Sequence, residues 1–187
     1  MLEQLRIHIE KIVPLTDEEF GIVSSLFSFR KYKKHQFLVQ EGEAVAYHYF
    51  VLKGLLKLVY TDESGKEHIV GFAMEDWWET DFQAYYTQTK ATMSLQCVEA
   101  TEVLCLSLPD YRKLCTELPK LEHFFLEKAY MGFIAAQQRI ISTMTTEIKD
   151  RYKQLLEKYP TLVQRVPKSL LAAYLGVSRE TLSRLPL

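Results

Sequence analysis

The sequence predicts an α+β protein: an N-terminal antiparallel β-roll of the jelly-roll kind flanked by helices, then a long helix, then a small all-α helix-turn-helix. Three observations carry this. Between about Tyr32 and Leu108, short runs of β-branched and aromatic residues alternate with turn signals, the pattern of a sandwich, barrel or jelly roll. After Pro109 a helical apolar period returns and is sustained from Leu118 to about Thr146. The final stretch, PKSLLAAYLGVSRETLSRLPL, places small, glycine and apolar residues as two short crossing helices require. The resulting divisions are 1–117, 118–146 and 147–187.

Leu2, Leu5 and Ile9 recur at helical spacing, and Thr16 with Glu19 three residues on reads as a capping box opening a second helix. Phe20, Val23 and Phe27 give that helix its apolar face. The expected strands are 36–40, 49–52, 55–60, 68–72, 92–97 and 103–106, separated by EGEA (41–44), KG (53–54) and DESGK (62–66). On the long helix Ile134, Ile141 and Ile148 lie seven apart, as do Phe124, Met131 and Gln138. Such a recurrence is a candidate dimer seam, with packing on the β domain as the alternative. Residues 147–159 form another amphipathic helix ended by Pro160, and a short connection follows.

In the last section Ala172 takes the close-contact position and Gly176 the turn, with Leu171, Leu175, Val177, Leu182 and Leu185 as the apolar set. Ser178 is a good N-cap for the second helix. If that helix enters a major groove, its first residues face base edges. Arg179 and Arg184 suit guanine O6 and N7, and Glu180 can accept from the cytosine amino group. Lys168 and Ser169, at the start of the first helix, are placed for phosphates. A solvated helix start is the bland alternative for Arg179 and Glu180.

Charge distribution points the same way. Residues 1–148 hold 15 Lys and Arg against 21 Asp and Glu, and residues 149–187 hold 8 against 3, so a basic end follows an acidic body. One end meeting a polyanion produces this asymmetry. A hydrophobic content of 48% with 25% charged residues is that of a globular chain with a real core. No apolar run approaches the length of a membrane span and the first residues are charged, so a cytoplasmic location without membrane association is expected. Cys97, Cys105 and Cys115 show no CxxC spacing and read as buried thiols rather than a disulfide or metal framework.

This order of elements, over nearly the whole chain, resembles the Crp/Fnr family of bacterial transcription regulators. FLVQEGEAVAYHYFVLKGLLKLVY (37–60) looks like that family's glycine turn and strand pair, and ATEVLCLSLPDYRKL (100–114) is similar to its closing strand and helix. SRETLSR (178–184) matches its recognition-helix pattern, with Ser178, Arg179, Glu180, Thr181 and Arg184 on the DNA-facing positions. The resemblance implies a homodimer binding double-stranded palindromic DNA, half-sites about one helical turn apart, with RNA polymerase as a further partner. Related regulators continue past the recognition helix into a basic extension or a β-hairpin wing, whereas here Pro186 and Leu187 follow. Affinity resting heavily on dimerisation is the expected consequence.

Family members that bind cyclic nucleotides hold the phosphate with an Arg and the ribose hydroxyl with a Glu. Laid on this sequence, the Arg position is Ala91, followed by Thr92, and the Glu position is Asp81. Lys90, being adjacent on a strand, would point to the other face. A pocket holding Asp81, and Glu79 beside it, with no fixed cation repels a phosphate, so cyclic AMP is not expected to bind tightly. Trp77, Trp78, Tyr85 and Tyr86 either line a cavity for an uncharged, aromatic or cationic effector or simply fill it.

Other functions fit less well. The family's iron–sulfur type needs a cysteine cluster near the N-terminus, and the first cysteine is Cys97. A haem on Cys97 or Cys105 is a remote option, and no cofactor or metal is expected. His35, His48 and His68 are isolated, without His-x-His, and no nucleophile elbow, phosphate-binding glycine loop or HExxH is present, which argues against an enzyme. The competing reading is a sensor or interaction module of the same fold with weak or lost DNA binding.

Overall fold

The computed structural model describes residues 1–185. Helix α1 (Leu2–Glu10) buries Leu5 and Ile9, and α2 (Asp17–Ser25) opens on the anticipated capping box. Glu19 N–H donates to Thr16 Oγ1 at 3.2 Å, and Thr16 N–H donates to Glu19 Oε2 at 2.7 Å. Lys120 Nζ adds an ion pair to the same carboxylate at 2.6 Å and holds it below the ordinary glutamate range.

Eight strands follow as β1 (Ser28–Tyr32), β2 (Phe37–Val39), β3 (Tyr47–Lys53), β4 (Leu56–Thr61), β5 (Glu67–Ala73), β6 (Trp78–Glu79), β7 (Ser94–Cys97) and β8 (Thr101–Ser107). They make two four-stranded sheets, ordered β1-β8-β3-β6 and β2-β7-β4-β5. Strand β3 shows why the middle of the roll reads as an unbroken apolar run. Tyr49 and Val51 point into the inner cluster with Leu58, Leu95, Val103 and Cys105. Phe50 and Leu52 point outward into a second cluster with Leu5, Ile9, Val23, Leu104, Leu121 and Phe124. A strand covered on both faces loses the alternation of a half-exposed one. Gly54, at φ +112°, sits so close to Thr101 that an added Cβ would lie 2.5 Å from its Oγ1, so this turn requires glycine.

Three elements in this half are absent from the sequence reading, the two-residue β6 among them. Edge strand β1, SFRKY, carries two charges and pairs only with β8, so its apolar signal is weak. Helix α3 (Phe82–Thr87) is a single turn and a half set by its N-cap, Asp81. Helix α4 (Leu108–Glu117) starts on Ser107 with Pro109 in its first turn. Pro119 precedes α5 (Lys120–Thr145), so this helix runs uninterrupted for 26 residues. α6 (Ile148–Lys158) ends before Pro160 as expected, but the proline also opens α7 (Pro160–Arg165), where a plain connection had been predicted.

The chain divides into two compact units: Met1–Tyr60 with Val70–Glu127, and Thr61–Ile69 with the residues from Lys128 onward. In the second unit, Arg139 of α5 donates to the carbonyls of Ile69 at 3.0 Å and Tyr174 at 3.2 Å, its guanidinium 4.1 Å from the Tyr174 ring centre. That joins the hairpin tip, α5 and α8 (Lys168–Leu175), the first helix of the terminal pair. Helix α9 (Arg179–Ser183) completes the pair. No helix of the described residues is long and apolar enough to cross a membrane.

Candidate nucleic-acid interface and effector site

The terminal pair is built as two crossing helices demand. Gly176 caps α8 at φ +74°, and the Gly176 and Val177 N–H groups donate to the carbonyls of Ala173 and Ala172 at 3.2 and 3.0 Å. Leu171, Ala172, Leu175 and Leu182 are buried between the helices. Ser178 Oγ accepts from Thr181 N–H at 3.1 Å, starting α9. This packing leaves Arg179, Glu180, Thr181 and Arg184 on the exposed face, and Lys168 and Ser169 exposed at the start of α8. Its own backbone N–H, then the Ser178 hydroxyl and Arg179 beside it, keep the Glu180 carboxyl below its ordinary range. Pro186 and Leu187, on which the expected loss of the wing rests, lie outside the described residues.

In the β-roll the predicted effector residues separate into groups. Asp81 is fully buried and its carboxylate is taken up by the protein itself. Oδ1 accepts from Ala84 N–H at 3.1 Å; Oδ2 accepts from Thr92 N–H at 2.8 Å, Thr92 Oγ1 at 3.1 Å and Met93 N–H at 3.1 Å. It therefore ties the start of α3 to the bend at residues 92–93, just before β7. Ala91 is buried, its backbone bonded to Glu43 and Gly42 at 2.8 Å each, and Lys90 is exposed.

Trp77 packs on the inner cluster, but Trp78 faces the outer one, in a group of rings with His8, His48, Phe50 and Phe124. The two rings thus pack on different clusters and do not line one cavity. The Tyr85 hydroxyl donates to the Leu106 carbonyl at 3.3 Å inside the roll, while Tyr86 is exposed.

Residues 29–117 match the model of the cyclic nucleotide-binding domain. Over 149 residues the chain is 28% identical to the transcriptional regulatory protein Btr of Bordetella pertussis, covering 73% of this chain and 60% of that protein. The chain thus spans about 60% of the length of that curated relative. Among solved structures, the Thermus thermophilus catabolite activator protein matches with a TM-score of 0.61 and 24% identity, over 95% of this chain and 84% of that one. CLP, the c-di-GMP responsive global regulator of Xanthomonas campestris, matches with a TM-score of 0.73 and 14% identity, over 91% and 89%. At these identities the structures speak for the fold, that of Crp/Fnr-type regulators.

Within the β-roll, two partly buried ionisable groups stand out that the sequence reading gave little or no weight. Glu79, on edge strand β6 opposite Tyr49, points into the roll, and burial pushes its pKa up to about 8. His48 lies on the outer face of β3, walled by Trp78, Phe82 and Tyr85 with ring centres 4.7, 5.1 and 5.7 Å away. Its Nε2 is buried without a hydrogen-bond partner among the described residues, and burial lowers its pKa to about 3. Either could be suspected in the sequence only as a polar residue inside an apolar strand. The cysteines are all buried, and burial raises Cys105 to about 11.

One residue of the predicted dimer seam on α5 is taken up by the protein's own core. Phe124 is fully buried in the outer cluster of its own core, against Phe125 and Trp78, and is not available to a partner. Met131, Ile134, Gln138 and Ile141 are exposed. Stronger, and missed by the seven-residue count, is the run Leu126, Tyr130, Phe133, Gln137, Ile140 and Met144, whose steps alternate four and three. Its apolar members are 51, 56, 60, 59 and 79% exposed. Ile134 and Ile141 flank that run, whereas Met131 and Gln138 lie beside it, toward α6, where Lys158 Nζ donates to Gln138 Oε1 at 3.4 Å.

Proposed function

We propose that this protein is a dimeric transcription regulator that reads palindromic double-stranded DNA with α9 and carries a sensor β-roll that does not take cyclic AMP. The observation that carries the reading is the conjunction, in one chain, of a cyclic nucleotide-binding domain, a long helix with an exposed apolar seam, and a capped two-helix motif presenting Arg179, Glu180 and Arg184. The curated relative is itself named a transcriptional regulatory protein. The seam on α5 joins two copies, with Leu126, Tyr130, Phe133, Ile140 and Met144 at its centre, Ile134 and Ile141 at its edge, and Gln137 as its polar member. Dimerisation sets the two reading helices at the spacing of two half-sites.

Cyclic AMP fails for two physical reasons. Ala91 offers no cation to the phosphate, and the Asp81 oxygens that would meet the ribose already accept four hydrogen bonds. The reading is tested by selecting bound DNA from a random pool, then measuring retention of the recovered palindrome against salt. Arg179→Ala is expected to cost about 1–3 kcal/mol per half-site and to relax specificity at one base pair. Unchanged retention of the palindrome by Arg179→Ala would sink the DNA-reading assignment. The rival reading, a sensor with little DNA affinity, draws on the shortness of α9, five residues long, and predicts no salt-dependent retention of any duplex.

A further inference from the structure

We propose that the interior of the β-roll, where edge strands β5 and β6 face each other, binds a small organic cation whose ammonium nitrogen pairs with Glu79. The inference rests on the reading of the β-roll as an effector domain and names the class of effector.

The placement of Glu79 follows from strand register. It lies opposite Tyr49 of β3, a residue of the inner core, while its neighbour Trp78 lies opposite Phe50 of the outer core. Glu79 therefore points between the sheets at the end where β6 closes one and β5 closes the other. Its Oε1 accepts from Thr80 N–H at 3.1 Å. Its Oε2 has no donor among the described residues, and the residue keeps partial access to solvent.

Facing it across the opening is Gly71 of β5. A Cβ built on Gly71 would meet Oε2 at 3.4 Å and come within 4 Å of no other heavy atom outside its chain neighbours. The glycine thus leaves room beside the one carboxylate oxygen that lacks a donor. Ala73, on the same face of β5, is buried in the inner cluster and adds hydrophobic contact.

Among the described residues no cation acts on Glu79: burial and the Thr80 N–H are what act on its protonation. With a pKa near 8 the carboxyl is mostly neutral at pH 7. An ammonium entering the opening supplies the missing charge and the missing donors together, which drives the carboxyl to ionise and release its proton. An alcohol of the same shape brings one donor and no charge. An anion meets a carboxylate and, at Ala91, no cation.

The test uses the full chain at pH 7 with phenethylamine and butylamine hydrochlorides, their uncharged counterparts 2-phenylethanol and 1-butanol, and cyclic AMP. At least one amine is expected to raise the melting temperature at millimolar concentration and to bind about tenfold or more tighter than its alcohol. Calorimetry in two buffers of different ionisation enthalpy should show about 0.9 proton released per amine bound, from a group with a pKa of about 8. Glu79→Gln copies the neutral acid, so it should fold, and should lose both amine binding and proton release. The proposal is overturned if neither amine stabilises the protein, if an alcohol binds as well, if no proton is released, or if Glu79→Gln responds unchanged. DNA retention by the same preparation separates the two readings. Retention without an amine response removes this site alone, and an amine response without retention removes the regulator reading alone.

Discussion

Asp81 occupies the position where the Crp/Fnr resemblance expects a ligand-binding carboxylate, yet its oxygens are spent on Ala84, Thr92 and Met93. A buried carboxylate is tolerated when backbone N–H groups surround it, since each charge-assisted bond offsets part of the desolvation cost. Asp81 thus holds the first turn of α3 onto the bend that leads into β7. Asp81→Ala should lower the unfolding free energy by about 2–4 kcal/mol, because it strands buried donors as well as removing the helix cap. Chemical denaturation measures this directly, and a loss under about 0.5 kcal/mol would show that the bonds do not hold α3 in place. The sequence marks Asp81 as an acid in a plausible register. Only the folded chain reveals how many donors converge on it, because three of the four belong to residues ten or more positions away.

At the scale of elements, α5 shows how far periodicity reaches. A heptad recurrence is legible in the sequence, but two seams one residue apart both satisfy it, and only burial decides between them. Phe124 belongs to the core, Arg139 is held by the Ile69 and Tyr174 carbonyls, and the opposite side is left to Leu126, Tyr130, Phe133, Ile140 and Met144. So many large apolar side chains exposed along one helix are unusual for a monomer. Phe133→Glu with Ile140→Glu should convert a dimer to a monomer in sedimentation and weaken retention of palindromic DNA by about tenfold or more, since paired contacts become independent. If the doubly substituted chain still sediments as a dimer, another surface makes the contact. By contrast, the capping box of α2 and the Gly176 turn were legible outright, because each depends on residues within four positions of one another.

Across the whole molecule, His48 and Glu79 pull the pH dependence in opposite directions. His48 titrates near 3 in the fold against 6.5 in the unfolded chain, so the stability linked to it is intact above pH 6.5 and falls as the pH drops toward 3. Glu79 titrates near 8 against 4.5, so its share is intact below pH 4.5 and falls as the pH rises toward 8. Together they give a plateau of greatest stability between about pH 4.5 and 6.5, with losses on both sides. Hydrogen-bonded carboxylates such as Asp62, held below its ordinary range by Ser64 and His68, steepen the acid side. Urea midpoints against pH should show the alkaline loss disappear in Glu79→Gln and the acid loss shrink in His48→Gln. An unchanged alkaline limb in Glu79→Gln would contradict the buried placement of that carboxyl.

The sequence by itself determined the order β-roll, long helix and terminal helix pair, the caps at Thr16, Ser178 and Gly176, and the exposed arginines of α9. All of these depend on local spacing and on the stereochemistry of short segments. The tertiary structure decided which face of α5 stays open, that Trp77 and Trp78 face opposite cores, and that Asp81 is spent while Glu79 has an oxygen to spare. Those outcomes depend on which strands become neighbours across the two sheets. Pairing between residues distant in the chain is not encoded in the pattern of any one segment, and it is what fixes burial, hydrogen-bond partners and therefore charge.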